Sequence, residues 1–217
     1  MFPSVGNAPP LAQGRQMAPL DRAHIALEIN AIREETEEAH RKGKRLETLI
    51  ATIFRAVPGL ALEDQDVVSD FGTQEIDLYF MNTCPIDGLH FLDCPLIVEC
   101  KGWSSAVSSR ELRYFASLLK DKGRRSGVFI ALEGVAGNPA NRTAGFFHLT
   151  AAMIEGQTVL ILTGEDLLDI GSGEDLVKLL QRRLMDQVKS QVAAGVEAKA
   201  VKKRKASRRA KAGEGDS

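Results

Sequence analysis

Three cysteines in 217 residues, at positions 84, 94 and 100, are too few and too irregularly spaced for a disulfide framework. An odd, sparse count fits a reducing compartment, and a cytoplasmic location is expected. No apolar run approaches the roughly 18 residues that a membrane span needs, and the longest are strand-sized. The opening MFPSVGNAPPLAQGRQMAPL has no basic start and no continuous apolar centre, so it does not read as a secretory signal. Its Pro, Gly and Gln content predicts a flexible N-terminal arm over residues 1–20. Cys84, His90 and Cys94 invite a zinc reading, but the C-x5-H-x3-C spacing matches no common structural site and lacks a fourth ligand. There is a single tryptophan, Trp103, and there is no internal repeat.

With 44% hydrophobic and 26% charged residues, the chain suits one globular domain, expected over 21–190, with a tail at each end. The net charge of −1 hides an asymmetry, because residues 199–211 (KAVKKRKASRRAK) hold 8 of the 28 Lys and Arg. Residues 1–198 carry 20 basic against 27 acidic side chains, a net of −7. Residues 191–217 therefore read as a basic, disordered tail. Either it engages an anionic partner or it is a solubilising extension.

Residues 21–57 have helical periodicity. Asp21 suits a cap, and Ile25, Ile29 and Ile32 form a first stripe. Gly43 is a candidate break, after which Leu46, Leu49, Ile50, Ile53 and Phe54 make an amphipathic face with Glu47 at its edge. A short strand is expected at Val67-Val68. Ile76, Leu78 and Phe80 then alternate with Asp77 and Tyr79, as in a strand. Residues 82–95 form a polar connection with turn signals at Pro85 and Asp87-Gly88. From 96 onward the pattern reads strand (LIVECK), helix after a Ser108–Glu111 capping box, strand (VFIAL), helix through 146–154, strand (TVLILT), with helices over 166–170 and 174–188. This alternation predicts parallel strands in an α/β layer fold.

The stretch PLIVECKGW (95–103) concentrates the chemistry. Strand periodicity puts Glu99 and Lys101 on one face, roughly 7 Å apart, and Cys100 on the other. An E-x-K tripeptide arises by chance about once in a chain of this length, and Glu197-Ala198-Lys199 is a second case. Context separates them. Asp is depleted in strand interiors, and pairing 75–80 with 96–101 as a hairpin brings Asp77 beside Glu99. Carboxylates that close repel unless a cation lies between them, and hard oxygen ligands suit Mg²⁺ or Mn²⁺. Phosphoryl transfer uses such sites, with a lysine to orient water and offset charge. The plain alternative for Glu99 and Lys101 is a surface ion pair, worth under about 1 kcal/mol. For Asp77 it is an edge-strand solubility device, and for Glu47 a solvated helix residue. Cys100 reads as a small core residue, and Trp103 as a cover over the sheet end in preference to a stacking surface for nucleic acid. Ser104, Ser105 and Ser108 are candidate phosphate contacts at a helix N-terminus, although capping alone explains Ser108.

IDLYF followed by IVECK, an amphipathic helix and a GVFIAL strand resembles the PD-(D/E)xK restriction endonuclease-like nucleases, in their Mrr-like, type IV branch. The similarity covers about residues 42–165 and includes the Gly-Lys-x-Leu-Glu start of the helix carrying Glu47. It implies a three-layer core with a mixed central sheet flanked by helices. It implies Asp77 and Glu99 as metal ligands, with the backbone carbonyl of Cys100, and Lys101 as the catalytic lysine. Glu47 would bind or orient a metal-bound water. The cofactor would be Mg²⁺, with Mn²⁺ substituting, and the substrate double-stranded DNA. Ile76 stands where the motif's name has Pro, and the 22-residue step from Asp77 to Glu99 indicates an insertion in the hairpin. No separate DNA-reading motif is present, so specificity would come from loops, the arm or a partner protein. Double-strand cleavage with one site per chain would favour a homodimer. The expected activity is Mg²⁺-dependent endonucleolytic cleavage of DNA in restriction, defence or repair. The alternatives are an inactive DNA-binding or assembly subunit of the same fold, and a structure-specific nuclease on RNA or branched DNA.

Overall fold

The apolar stripes of the N-terminal third fold as two helices rather than one. In the computed structural model, which describes residues 17–36, 39–68, 75–136 and 155–189, helix α1 spans Arg22–Glu34 and α2 spans Ala39–Arg55. The Asp21 carboxylate caps α1 by accepting from the amides of Ala23 and His24, at 2.9 and 3.1 Å. Gly43 is not a break: it lies inside α2, and α1 ends at Glu35, whose backbone is extended. An added Cβ at Gly43 would approach only the Glu47 carboxylate, at 3.8 Å, so the position sits on open helix surface.

A five-stranded sheet follows in the spatial order β1-β2-β3-β4-β5. Its strands are β1 (Leu60–Val68), β2 (Glu75–Asn82), β3 (Leu96–Lys101), β4 (Ser126–Ala131) and β5 (Thr158–Thr163). The pairs β1–β2 and β2–β3 are antiparallel, while β3–β4 and β4–β5 are parallel. Helix α3 (Ser109–Asp121) connects β3 to β4. A short α4 (Gly164–Leu168) and then α5 (173–189) follow β5. The helix expected through 146–154 lies outside the described residues. The expected Val67-Val68 strand is the end of a longer one that begins at Leu60 and is irregular between Leu62 and Asp64. Ser108 holds the N-cap position of α3, but its hydroxyl makes no capping hydrogen bond. The capping box belongs instead to Thr163 and Asp166 at the start of α4.

Two apolar layers flank the sheet. On one face Leu96, Val98 and Cys100 of β3 join Val128, Ile130, Leu160 and Leu162, beneath α1, α2 and α5. On the other, Ile97, Phe129, Ala131 and Val159 meet Leu112, Phe115 and Leu119 of α3. Both central strands are therefore covered on both faces, which is why they read as near-continuous apolar runs. Gly127 lets α3 come close, because a Cβ there would lie 2.8 Å from both Leu119 Cδ2 and Phe115 Cζ.

The β2–β3 connection is less polar than its sequence, since Leu89 and Leu92 are in the core. Asn82 organises it from the end of β2, donating from Nδ2 to the carbonyls of Leu89, Leu92 and Asp93 at 2.9, 3.2 and 3.3 Å. Asp93 ties it to β4: its carboxylate accepts from the amides of Arg125 and Ser126, and its own amide donates to the Ser126 hydroxyl at 2.8 Å. Of the segments expected as arm and tail, only residues 17–20 are described. Leu20 donates to the Gly171 carbonyl at 2.9 Å, and Met17 and Leu20 pack against the core.

Candidate active site

Three elements meet at the C-terminal end of β3. Pairing with β4 runs from Ile97↔Gly127 through Lys101↔Ala131, and the Lys101 carbonyl accepts from Leu132 N at 3.1 Å, so the strand is held to its last residue. On the other side the antiparallel register Leu78↔Val98 brings Asp77 to the level of Glu99 and Cys100. The Asp77 carboxylate accepts from Cys100 N at 2.7 Å, which fixes it against β3. By strand alternation Glu99 and Lys101 share the α3 side of the sheet, whereas Cys100 turns into the core beneath α2. Burial, then the charges of Asp77, Glu99 and Glu47, push the Cys100 thiol well above its usual value, which keeps it protonated.

Glu99 is 5% exposed, and its Oε1 lies 2.5 Å from Lys101 Nζ. Its second oxygen, Oε2, is buried and has no hydrogen-bond partner among the described residues. Burial and then the neighbouring Asp77 charge raise the Glu99 carboxyl from 4.5 to about 7, against the opposing pull of Lys101. For Lys101, burial works to lower the pKa, but the charge and hydrogen bond of Glu99 together with Asp77 and Glu111 outweigh it and raise the value. The pair is lopsided: the ammonium gains from it, while the carboxylate remains, on balance, destabilised by its surroundings. That imbalance marks a site with more negative charge than its own lysine neutralises.

Glu47 projects from α2 and is 7% exposed. It accepts from Lys44 at 3.1 Å, and Lys44 also bridges to Asp66 of β1, whose φ of 55° is in the left-handed region. Glu47, Asp66, Asp77 and Lys101 line one cleft of about 620 Å³, which Trp103, Ser104 and Ser105 also border. Trp103 is 44% exposed at its edge, not a cover over the sheet. A larger groove of about 1130 Å³, between Pro19, Ile86 and Val177, contains none of the four expected site residues. Among the described residues, no group of three or more His, Cys, Asp or Glu side chains could hold a metal ion. Asp77 and Glu99 are neighbouring carboxylates at this strand end, while Glu47 is ion-paired to Lys44. Cys84 and Cys94 are exposed and His90 joins no such cluster. Sequence reasoning missed Lys44 and Asp66. The i, i+3 spacing of Lys44 and Glu47 was the available signal for one, and nothing local marked the other.

A mixed sheet covered by helices on both faces, with an aspartate beside an acid-x-lysine strand end, defines a restriction endonuclease-like nuclease core. The model of the Mrr-type restriction endonuclease family matches residues 39–170, more than half of the chain, and the chain belongs to that family. No curated protein and no solved structure matches it.

Proposed function

We propose that this protein is a divalent-metal-dependent DNA endonuclease acting in restriction, defence against foreign DNA or repair. The observation that carries the reading is the buried Oε2 of Glu99, without a partner among the described residues and beside Asp77, at a strand end that also carries Lys101. This donor set fits a hard cation. Mg²⁺ characteristically takes one or two carboxylates and completes its shell with water and substrate phosphate, so three converging protein ligands are not required. Asp77 and Glu99 would hold the ion, with the Cys100 carbonyl as a further oxygen donor. When bound, the ion would supply charge neutralisation at the phosphate and a more acidic water.

The chain's own residues have separable roles. Lys101, whose ammonium is kept charged by the surrounding acids, would face the scissile phosphate, offset its developing negative charge and orient the attacking water. The Asp77 bond to Cys100 N fixes one carboxylate relative to β3, so the donors sit on rigid strands. Glu47, at the cleft wall, would orient water through one carboxylate oxygen while Lys44 holds the other. A homodimer would place two such sites on a duplex, and loops or a partner protein would supply specificity.

The test is cleavage of duplex, single-stranded, modified and branched substrates with Mg²⁺, alongside Asp77→Ala, Glu99→Ala and Lys101→Ala. The carboxylate variants should lose cleavage and Mg²⁺ affinity together. Lys101→Ala should lose cleavage yet bind Mg²⁺ at least as well, because a like charge beside the ion is removed. Wild-type cleavage by Lys101→Ala would sink this assignment. Duplex binding with no cleavage by the wild type under any of these conditions would favour the inactive binding subunit.

A further inference from the structure

The cleft contains a cation that the scheme above does not use. Lys42 of α2 is only 9% exposed and lines the cleft. Its stem is packed: a Cβ at Gly102 would lie 3.6 Å from Lys42 Cγ, with Leu46 Cδ2 at 3.4 Å and Ile32 Cγ2 at 3.7 Å. A larger residue at 102 would crowd that stem. Among the described residues, the Lys42 ammonium has no hydrogen bond and no ion pair.

The other lysines and arginines on the cleft wall are neutralised within the protein. Arg33 is bound by Glu133 at 2.7 Å and Glu165 at 3.0 Å. Lys44 is bound by Glu47 and Asp66, and Lys101 by Glu99. Only the stem of Lys42 is enclosed: its ammonium is not among the buried atoms, so it opens to the cleft as a cation with no counter-charge among the described residues. Its stem is fixed by packing, so little side-chain entropy remains to be lost when an anion arrives. Ser104 and Ser105, on the loop after β3, border the same cleft and can add hydroxyl donors.

On the reading that this cleft binds DNA, we propose that Lys42 holds a backbone phosphate of the cleaved strand, next to the scissile one, with Ser104 and Ser105 as its hydroxyl partners. Lys42 is then a substrate-positioning residue rather than a reacting one, and it sets where the strand lies relative to Lys101. It reads no base, so its contribution is independent of sequence.

The experiment measures duplex binding across a salt series, using the full chain in a Lys101→Ala background so that no substrate is consumed. Lys42→Met keeps an unbranched apolar stem and removes the charge, and Lys42→Arg keeps the charge. Lys42→Met should weaken binding several-fold and reduce the slope of log affinity against log salt by about one. Lys42→Arg should retain the slope. If Lys42→Met binds with unchanged affinity and slope, the lysine merely extends to solvent and the inference is overturned, while the nuclease reading stands. If the parent protein binds no duplex even at low salt, both fall together.

Discussion

Glu99→Gln should make the protein more stable at neutral and alkaline pH, and the gain follows from the environment of one carboxylate. The Glu99 carboxyl is carried from 4.5 to about 7 by burial and by Asp77. A carboxyl raised in the folded state leaves stability intact below its unfolded pKa and removes it as pH rises towards the folded value. Between about pH 4.5 and 7 this group should therefore withdraw about 3 kcal/mol from the wild type. Gln copies the protonated carboxyl in size and polarity but cannot ionise. The two proteins should match near pH 4.5 and diverge above it. At pH 8 the variant should melt roughly 6–12 °C higher, given 2–4 °C per kcal/mol for a chain of this size. Circular-dichroism melts from pH 4.5 to 8 measure this directly. Saturating Mg²⁺ at pH 8 should restore most of the wild-type deficit and leave the variant almost unmoved. Parallel stability curves for the two proteins would refute the account of Glu99 as a carboxylate short of positive charge.

Glu47→Gln should keep the fold, as judged by its melting temperature, and raise the Mg²⁺ concentration for half-maximal cleavage by about tenfold, as altered outer-shell groups do. Gly127→Ala should lower stability by about 1–3 kcal/mol in urea titrations, because its methyl would enter the space of Leu119 and Phe115. Asn82→Ala strips the donor from the buried carbonyls of Leu89 and Leu92, and should cost about 1–3 kcal/mol with faster hydrogen exchange across 83–95.

The central strands were legible because their signals are local. Leu96–Val98 and Val128–Ala131 are apolar on both faces, as strands covered on both sides must be. Asp77 and Glu99 stood out as acids in apolar strands, and the sequence-derived hairpin register brings them level, as the structure does. Other features depend on distant partners. The first helix ends at Glu35, where no Pro or Gly announces it, whereas Gly43 is tolerated because its side of α2 is open. Only Val67-Val68 reads as a strand in the sequence; the preceding Leu60–Asp66 carries Glu63, Asp64 and Asp66 and gains its strand hydrogen bonds from β2, and those charges are typical of an exposed edge. Asp66 reaches Lys44 through a left-handed backbone at a non-glycine residue, and Lys42 stands out only in having no ion pair among the described residues.

The connection between Asp77 and Glu99 has a consequence for how such a protein can change. Asn82 gathers the connection at one end and Asp93 clamps it to β4 at the other, while Ile86 between them is 90% exposed. The geometry of Glu99 and Lys101 is thus insulated from the tip of the connection. Residues around Ile86 can drift, lengthen or be exchanged for a foreign segment without moving the C-terminal end of β3. The protein thereby separates a surface free to acquire new contacts from a centre that must stay fixed, and the tip is the natural place to graft a new recognition element.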